Sequence, residues 1–379
     1  MTTLVMDLPF FGDLGLLALA LALVVLSADK LVEAATHIAH FFGLSPLVIG
    51  LTLVAFGTSL PEMVVAMSAA LQGHPEVGVG NAIGSNIANI ALVLGACALL
   101  RPLAVPRAVV SHEAHKLIAA TLLVLVLVLD HHLSWLDGAI MMMLLAVLTT
   151  RWIWAKPAEI DRTPAVAAVA AAEAVEAGVG AAEAVVTSTA TLDAANERDA
   201  GVTAAREALG ASAPQLERPD PSEKRVPRPL WRSIAYALVS LVVLYGGSEV
   251  FVGQAAKLAG ALGLSDLIIG LTIVAIGTSL PELAASIACT WKRQGDMAVG
   301  NIVGSNTFNL LGVFAIPGLI GGVDVTPLSL QRDFALMSAL TLMLLAIVWL
   351  PGRASRLGRP AGIAFLSLYA LYLFELASG

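Results

Sequence analysis

GLSPLVIGLTLVAFGTSLPE, residues 43–62, returns 220 positions later as GLSDLIIGLTIVAIGTSLPE, residues 263–282. Each copy is apolar almost to its end, where a proline and a carboxylate stand together. Pro61 has no N–H to give the carbonyl of Gly57, four residues back, and its ring crowds that turn, so a helix through this stretch must kink. Carbonyls near Ala55 to Thr58 are then expected to be released. In hydrocarbon an unsatisfied backbone group costs several kcal/mol, so such a break persists only where protein, water or an ion meets it.

The hydrocarbon itself is implied by composition. The chain has 379 residues, 58% hydrophobic and 13% charged, with a mean hydropathy of +0.85, whereas soluble domains carry about 25% charged residues. Apolar runs of about 20 residues, the length a helix needs to cross a bilayer, recur along most of it. These features predict an all-α polytopic membrane protein. Ten spans are expected, near 13–41, 45–71, 77–100, 112–130, 134–154, 231–261, 265–291, 297–321, 333–350 and 360–376. The opening MTTLVMDLPFFGDLG has no basic segment before the apolar run, so no cleaved signal peptide is expected. Cys97 and Cys289 have no His or Cys at metal-ligand spacing and read as packing residues. The formal charge of -7 comes largely from a mid-chain segment and says little about partners.

Charge placement sets the orientation. Arg101, Arg107 and Lys116 flank the connection between spans three and four, Lys292 and Arg293 that between seven and eight, and Arg353, Arg356 and Arg359 that between nine and ten. The alternate connections hold Glu76, Asp130, Asp137, Asp266 and Asp324, with Arg332 the basic exception. The positive-inside rule then puts both termini outside and the connection between spans five and six in the cytoplasm. That connection divides the chain into 1–155, 156–230 and 231–379. It begins Ala- and Glu-rich and ends in ERPDPSEKRVPRPL, which predicts a weakly ordered linker. It has no clustered Asp/Asn/Gly loop of the kind that binds calcium in EF-hands.

The repeat extends without a gap: VGNAIGSNIAN at 79–89 matches VGNIVGSNTFN at 299–309. Five spans per half is an odd number, so the second half starts on the opposite side of the membrane and the repeats are inverted. Inverted repeats with helix breakers at matching positions point to a transporter site near the bilayer midplane.

Thr58 and Glu62 are four residues apart, on one helix face, with Ser59 beside them. In the next span Ser85 and Asn89 have the same spacing, and Gly80 and Gly84 are expected to allow a close helix approach. The second half repeats them as Thr278, Ser279, Glu282, Gly300, Gly304, Ser305 and Asn309. A lone hydroxyl in a membrane helix usually bonds its own backbone, and a lone Gly-x-x-x-Ser is usually packing. An intramembrane Glu is different, because it costs a few kcal/mol to insert. Two carboxylates, two amides and six hydroxyls form a set of hard oxygen ligands that suits Ca2+ and Na+ rather than zinc or copper. Lys30 is expected to pair with Glu33 across a helix interface, and His37, His40, His112, His115, His131 and His132 fall near span ends rather than in a proton relay.

The paired GTSLPE and GSN segments resemble the alpha repeats of the cation/calcium antiporter superfamily, most closely the prokaryotic sodium/calcium exchangers. The resemblance covers both halves in order. It implies ten helices, alternating access, and ion sites built by Glu62 and Glu282, by Thr58, Ser59, Thr278 and Ser279, by Ser85 and Ser305, and by Asn89 and Asn309. It also implies backbone ligands at the carbonyls of Ala55 and Ala275, and a first and sixth helix that move together. Several relatives carry Asp where this chain has Asn309, and Asn at both 89 and 309 weakens a potassium-dependent reading.

Two ionised Glu balance one Ca2+, whereas three Na+ leave one positive charge, so a three-for-one exchange would respond to voltage by about 2.3 kcal/mol per charge per 100 mV. The expected function is Na+/Ca2+ antiport, with Ca2+ and Na+ as transported ions and no cofactor. An H+/Ca2+ antiporter using the same glutamates is the alternative. A channel would need no counter-ion, and an enzyme would need a nucleophile beside a base, which neither half offers. The expected partners are these ions and the lipid bilayer, with no nucleic acid, and the expected location is a prokaryotic inner membrane.

Overall fold

The computed structural model describes residues 8–104, 107–154, 229–261, 275–327, 329–349 and 356–378. The expected linker, 156–230, lies almost wholly outside these residues, as does the start of the span expected at 265–291. Helices dominate. In chain order they are α1 (Leu8–Phe42), α2 (Pro46–Leu71), α3 (Pro75–Leu100), α4 (Arg107–Leu127), α5 (Trp135–Trp154), α6 (Leu230–Ala261), α7 (275–291), α8 (Gly295–Ile320), α9 (329–349) and α10 (Arg359–Ser378). Among the described residues seven helices, α1, α2, α3, α5, α6, α8 and α9, are long and apolar enough to cross a membrane. The other three expected spans fall on α4, α7 and α10.

Local chemistry explains the breaks. Gly43 ends α1 in the left-handed conformation (φ 64°), and Ser45 then caps α2 by accepting from the Val48 N–H at 3.3 Å, with Pro46 in the first turn. Between α2 and α3 the left-handed residue is Gly73, and the His74 N–H reaches the Ala69 carbonyl at 2.9 Å. The α7–α8 turn repeats this with Arg293 at φ 60° and the Gln294 N–H on the Cys289 carbonyl at 2.8 Å. The turn geometry survives although the glycine does not.

The helices form a centre and a periphery. Of the apolar stretches, 94% of α8, 72% of α3 and 67% of α2 is buried, against 33% of α1 and 28% each of α5, α6 and α9. The outer helices present Leu19, Leu26, Val239, Val242 and Met143 outward. Apolar side chains on an outer surface suit lipid, and the exposed Trp135, Trp154, Trp231 and Trp291 sit at helix ends, where membrane-interface tryptophans concentrate.

α1 and α6 run antiparallel along each other, pinned by Lys257 Nζ to Asp13 Oδ1 at 2.8 Å and by Ser233 Oγ to His37 Nδ1 at 2.9 Å. These two contacts exchange under the 220-residue offset, since Asp13 maps to Ser233 and His37 to Lys257. α2 crosses α8 with backbones nearly touching: a Cβ on Gly50 would lie 2.5 Å from the Met297 carbonyl oxygen, and one on Gly300 2.5 Å from that of Leu47. Gly304 is equally confined, 2.6 Å from the Leu51 oxygen. Gly80 and Gly84, expected to play the same part in α3, meet nothing within 4 Å among the described residues. Most of the stretch that the offset would bring against them, 267–274, is not described.

Four two-residue strands close the ends. Leu103–Ala104 (β1) pairs antiparallel with Arg356–Leu357 (β4), and His132–Leu133 (β2) with Val323–Asp324 (β3). The first sheet gathers the connections that carry Arg101, Arg107, Arg356 and Arg359, and the second those that carry Asp130 and Asp324. In the second, His132 Nδ1 lies 2.8 Å from Asp324 Oδ1.

Two predictions follow from this packing. Gly304→Ala forces a Cβ into backbone and should lower stability by about 1–3 kcal/mol in chemical denaturation of the purified protein, and an unchanged midpoint would contradict the close crossing. The hydrogen bond from Asp324 raises the His132 pKa. Because the folded-state value is the higher one, the pair stabilises at low pH and ceases to do so as pH rises through it. The pair is solvent-exposed, so the effect is small. A melting-temperature difference between the native chain and His132→Gln should be present at about pH 5 and gone by about pH 9, and a difference that grows with pH would contradict it.

Candidate functional site

The proline breaks fall at Ser59 (φ -87°, ψ 1°) and Ser279 (φ -89°, ψ 9°), each followed by a fresh helix with Pro in its first turn. Glu62 and Glu282 therefore lie in the first turns of helices that begin inside the protein. A helix N-terminus carries partial positive charge, which favours a carboxylate there. The expected release of the Ala55 carbonyl does not occur. It accepts the Ser59 N–H at 3.0 Å, the Thr58 hydroxyl at 3.3 Å and the Ser305 hydroxyl at 3.5 Å, because the chain closes one more helical turn before it bends.

A second distortion was not anticipated. α3 and α8 both widen into π-helix, over Asn89–Leu94 and Asn309–Val313, so that each expected asparagine opens a π segment. The Asn309 carbonyl accepts from the Phe314 N–H, five residues on, at 2.9 Å. Such bulges cluster at functional sites. No proline or glycine precedes them as a sequence signal; the asparagine shared by both halves is the one available cue.

The distorted segments pack across the halves: 280–291 of α7 against Asn89–Leu94, and 60–71 of α2 against Asn309–Val313. This gathers the polar side chains in the centre. Glu62, Glu282, Asn89, Asn309, Thr58, Ser59, Ser279 and Ser305 are fully buried, and Ser85 nearly so. Thr278 is half-buried, and Ala275 contributes described backbone but no described side chain. Ser59 Oγ donates to Glu282 Oε1 at 3.3 Å, and Thr58 Oγ1 lies 3.3 Å from Ser305 Oγ, both contacts joining the two halves.

Several of the other polar atoms have no hydrogen-bond partner among the described residues. Both carboxylate oxygens of Glu62, Oε2 of Glu282, both amide atoms of Asn89 and of Asn309, and the hydroxyls of Ser85 and Ser279 are buried and unpaired. Native proteins pair more than about 90% of buried polar groups, so orphans concentrated in one residue set mark a site shaped for something other than protein. Sequence reasoning did not single out Asn81, Asn86, Asn301, Asn306 or Ser286, which surround the set. Asn301 links Ser286, at 2.9 Å, to Thr58, at 3.4 Å. Asn81 and Asn301 are in fact visible as the asparagines of the repeated VGN.

Other expectations resolve at the periphery. Lys30 and Glu33 pair at 2.9 Å, but on the exposed face of α1 rather than in a helix interface. His37 and His132 engage Ser233 and Asp324, away from the glutamates. Cys97 and Cys289 are free and buried.

The arrangement is lopsided about the 220 offset. α1 packs along Leu280–Trp291, with Lys292 Nζ on Asp29 Oδ1 at 2.8 Å and Gln294 Nε2 on Thr36 Oγ1 at 2.8 Å. The corresponding contact, α6 on Leu60–Leu71, is nearly absent, and Glu249, the counterpart of Asp29, makes no ion pair among the described residues. A cleft of about 300 Å³ opens there instead, lined by Val65, Ser68, Ala69, Gln72, His74 and Val77. The hydroxyl contacts are lopsided in the same way, since the Ser59–Glu282 bond has no equivalent between Ser279 and Glu62.

Known proteins share this plan. The family model described as sodium/calcium exchanger protein matches residues 13–154 and 232–376. Inner membrane protein YrbG of Escherichia coli (strain K12) is 34% identical over 361 residues, covering 95% of this chain and 95% of that protein. Sodium/calcium exchanger MaX1 of Methanosarcina acetivorans is 28% identical over 361 residues, covering 95% and 97%. The solved structure of the sodium-calcium exchanger NCX_Mj soaked with zero Na+ and Ca2+ aligns with a TM-score of 0.69 at 26% identity, covering 96% of this chain and 98% of that one. A match that takes in both halves, over a shared fold, identifies this integral, multi-pass membrane protein as a member of the sodium/calcium exchanger protein family.

Proposed function

We propose that this chain exchanges Na+ for Ca2+ across a prokaryotic inner membrane, by alternating access at one central site. One observation carries the proposal: two carboxylates and two carboxamides are fully buried at the heart of the bundle, and apart from Glu282 Oε1 their oxygens have no hydrogen-bond partner among the described residues. Glu62, Glu282, Asn89, Asn309 and the hydroxyls of Thr58, Ser59, Ser85, Thr278, Ser279 and Ser305 offer hard oxygens to hard cations. The carbonyl of Ala55 would take a cation in place of the Thr58 and Ser305 hydroxyls that donate to it, and that of Ala275 is assigned the same part by the repeat.

The scaffold we infer is two inverted five-helix repeats, 1–155 and 231–379, with ten membrane helices, both termini outside and the linker 156–230 in the cytoplasm. Support comes from contacts that exchange under the offset, Asp13–Lys257 with Ser233–His37, and from strand 103–104, whose counterpart 323–324 also pairs in a two-stranded sheet. The grouping of arginines at one end and aspartates at the other supports the orientation. The lopsided packing supports alternating access. α1 packs over the end where Lys292 lies, while a cleft stands at the corresponding place on the other half, and an exchange of those two packings is the motion that the proposal requires.

Charge explains why the exchange is coupled. An empty site carries two carboxylates in a medium of low dielectric, and moving it past an apolar barrier is costly, whereas Ca2+ neutralises it. Three Na+ would leave one positive charge, which makes the exchange electrogenic.

The test is calcium efflux from loaded proteoliposomes. Release on external Na+, leaving the lumen positive by the one net charge carried inward per cycle, is the expected result. Release by a pH step alone would replace Na+ with protons as counter-ion, and release with no counter-ion would end the antiport reading. Glu62→Gln and Glu282→Gln should each abolish calcium transport, by at least 100-fold for loss of a paired charge on a dehydrated cation, while the purified variants elute and melt as folded protein. Full activity in either would overturn the site.

A further inference from the structure

The two halves do not hold their asparagines alike. Asn301 is fully buried; its Nδ2 donates to Ser286 Oγ at 2.9 Å, and its Oδ1 faces the Thr58 hydroxyl at 3.4 Å. Ser286 stands one helical turn beyond Glu282 on α7, so the chain Ser286–Asn301–Thr58 starts beside one glutamate and ends one turn before the other. Under the offset its counterpart is Ala66–Asn81–Thr278. Ala66 has no hydroxyl to offer, and the buried Nδ2 of Asn81 has no hydrogen-bond partner among the described residues.

The anchor at Ser286 has a directional consequence. An amide held by its nitrogen presents its oxygen in one direction. The Thr58 hydroxyl can then turn its proton toward Asn301 or the Ala55 carbonyl and keep its lone pairs for a cation. Ser305 Oγ, 3.3 Å from Thr58, is held in the same cluster. On the other side Asn81 lacks the anchor, and Ser85 and Ser279 have no hydrogen bonds of their own.

We propose that Asn301, oriented by Ser286, is a positioning residue that stiffens the Thr58–Ser305 side of the ion site, and that this side sets the size preference among divalent ions while the Asn81 side adapts. Stiff oxygen cages discriminate ions by radius and compliant ones do not. The inference rests on the proposed cation site, and the experiment separates the two. Ca2+ and Sr2+ carry the same charge and differ in radius, so their relative transport reads stiffness whichever counter-ion drives it.

The measurement is the ratio of apparent KM values for Ca2+ and Sr2+ in proteoliposomes of the native chain, Ser286→Ala and Ser286→Thr. Loss of one buried hydrogen bond predicts that Ser286→Ala moves the ratio toward one by about threefold to tenfold, chiefly through KM. Ser286→Thr, which keeps the hydroxyl, should restore it. A native ratio in Ser286→Ala, or a loss that Ser286→Thr does not restore, overturns the proposal. If Ser286→Ala does not fold, Ala66→Ser decides, because it gives Asn81 the missing anchor: a ratio further from one supports the proposal and an unchanged ratio overturns it. A native chain that moves neither ion defeats the cation-site reading itself.

Discussion

Two carboxylates without a basic partner, shut in the apolar centre of a helical bundle, are the constraint to which the rest of this structure answers. Burying a charge is tolerable only when it is paired or bound to a metal. The described lysines in ion pairs engage Glu33, Glu113, Asp13 and Asp29, and Arg332 engages Asp333; none is paired with Glu62 or Glu282. The compensation that the fold does supply is partial. Prolines start new helices just ahead of each glutamate, so that helix N-termini face the charge, and π segments bring asparagine amides against them. On the proposed reading, the rest is left to a cation.

The close helix crossings serve the same end. With Gly50, Gly300 and Gly304 in contact with facing backbone, α2 and α8 leave no gap for bulk water between them, and the low dielectric that makes the site selective is preserved. Symmetry adds a second feature. Two copies of one packing solution meet around the site, and each can be tight or loose. Asp29–Lys292 and Thr36–Gln294 are made on one side, while the counterpart positions hold Gln72, Ala256 and His74 and cannot reproduce the ion pair or the threonine contact. The proposed alternating access requires that such an interface have two packings, so that small differences in ion contact become a change of access.

Much of this was legible in the sequence because the signals were local and doubled. The proline-glutamate pairs, their spacing from Thr58 and Thr278, and the 220-residue offset identified the helix breaks and the buried glutamates before any coordinates. What stayed hidden depends on neighbours distant in the chain. The Ala55 carbonyl keeps its bonds because Pro61 removes only the N–H that would reach Gly57, while the Ser59 N–H and hydroxyls of Thr58 and Ser305 still reach Ala55. The π segments at Asn89 and Asn309 carry no breaker residue, and Ser286 gains meaning only when Asn301 is seen beside it. Gly80 and Gly84 look identical to Gly300 and Gly304 in sequence, yet only the latter pair meets a described neighbour.

The most direct measurement of the central claim is calorimetric titration of Ca2+ into the purified protein in detergent, alongside the Glu62→Gln/Glu282→Gln double variant. The account predicts saturable binding to the native chain that Na+ competes away, and none to the folded double variant. Calcium binding of equal strength in the absence of both carboxylates would show that the buried glutamates are not what the cation answers to.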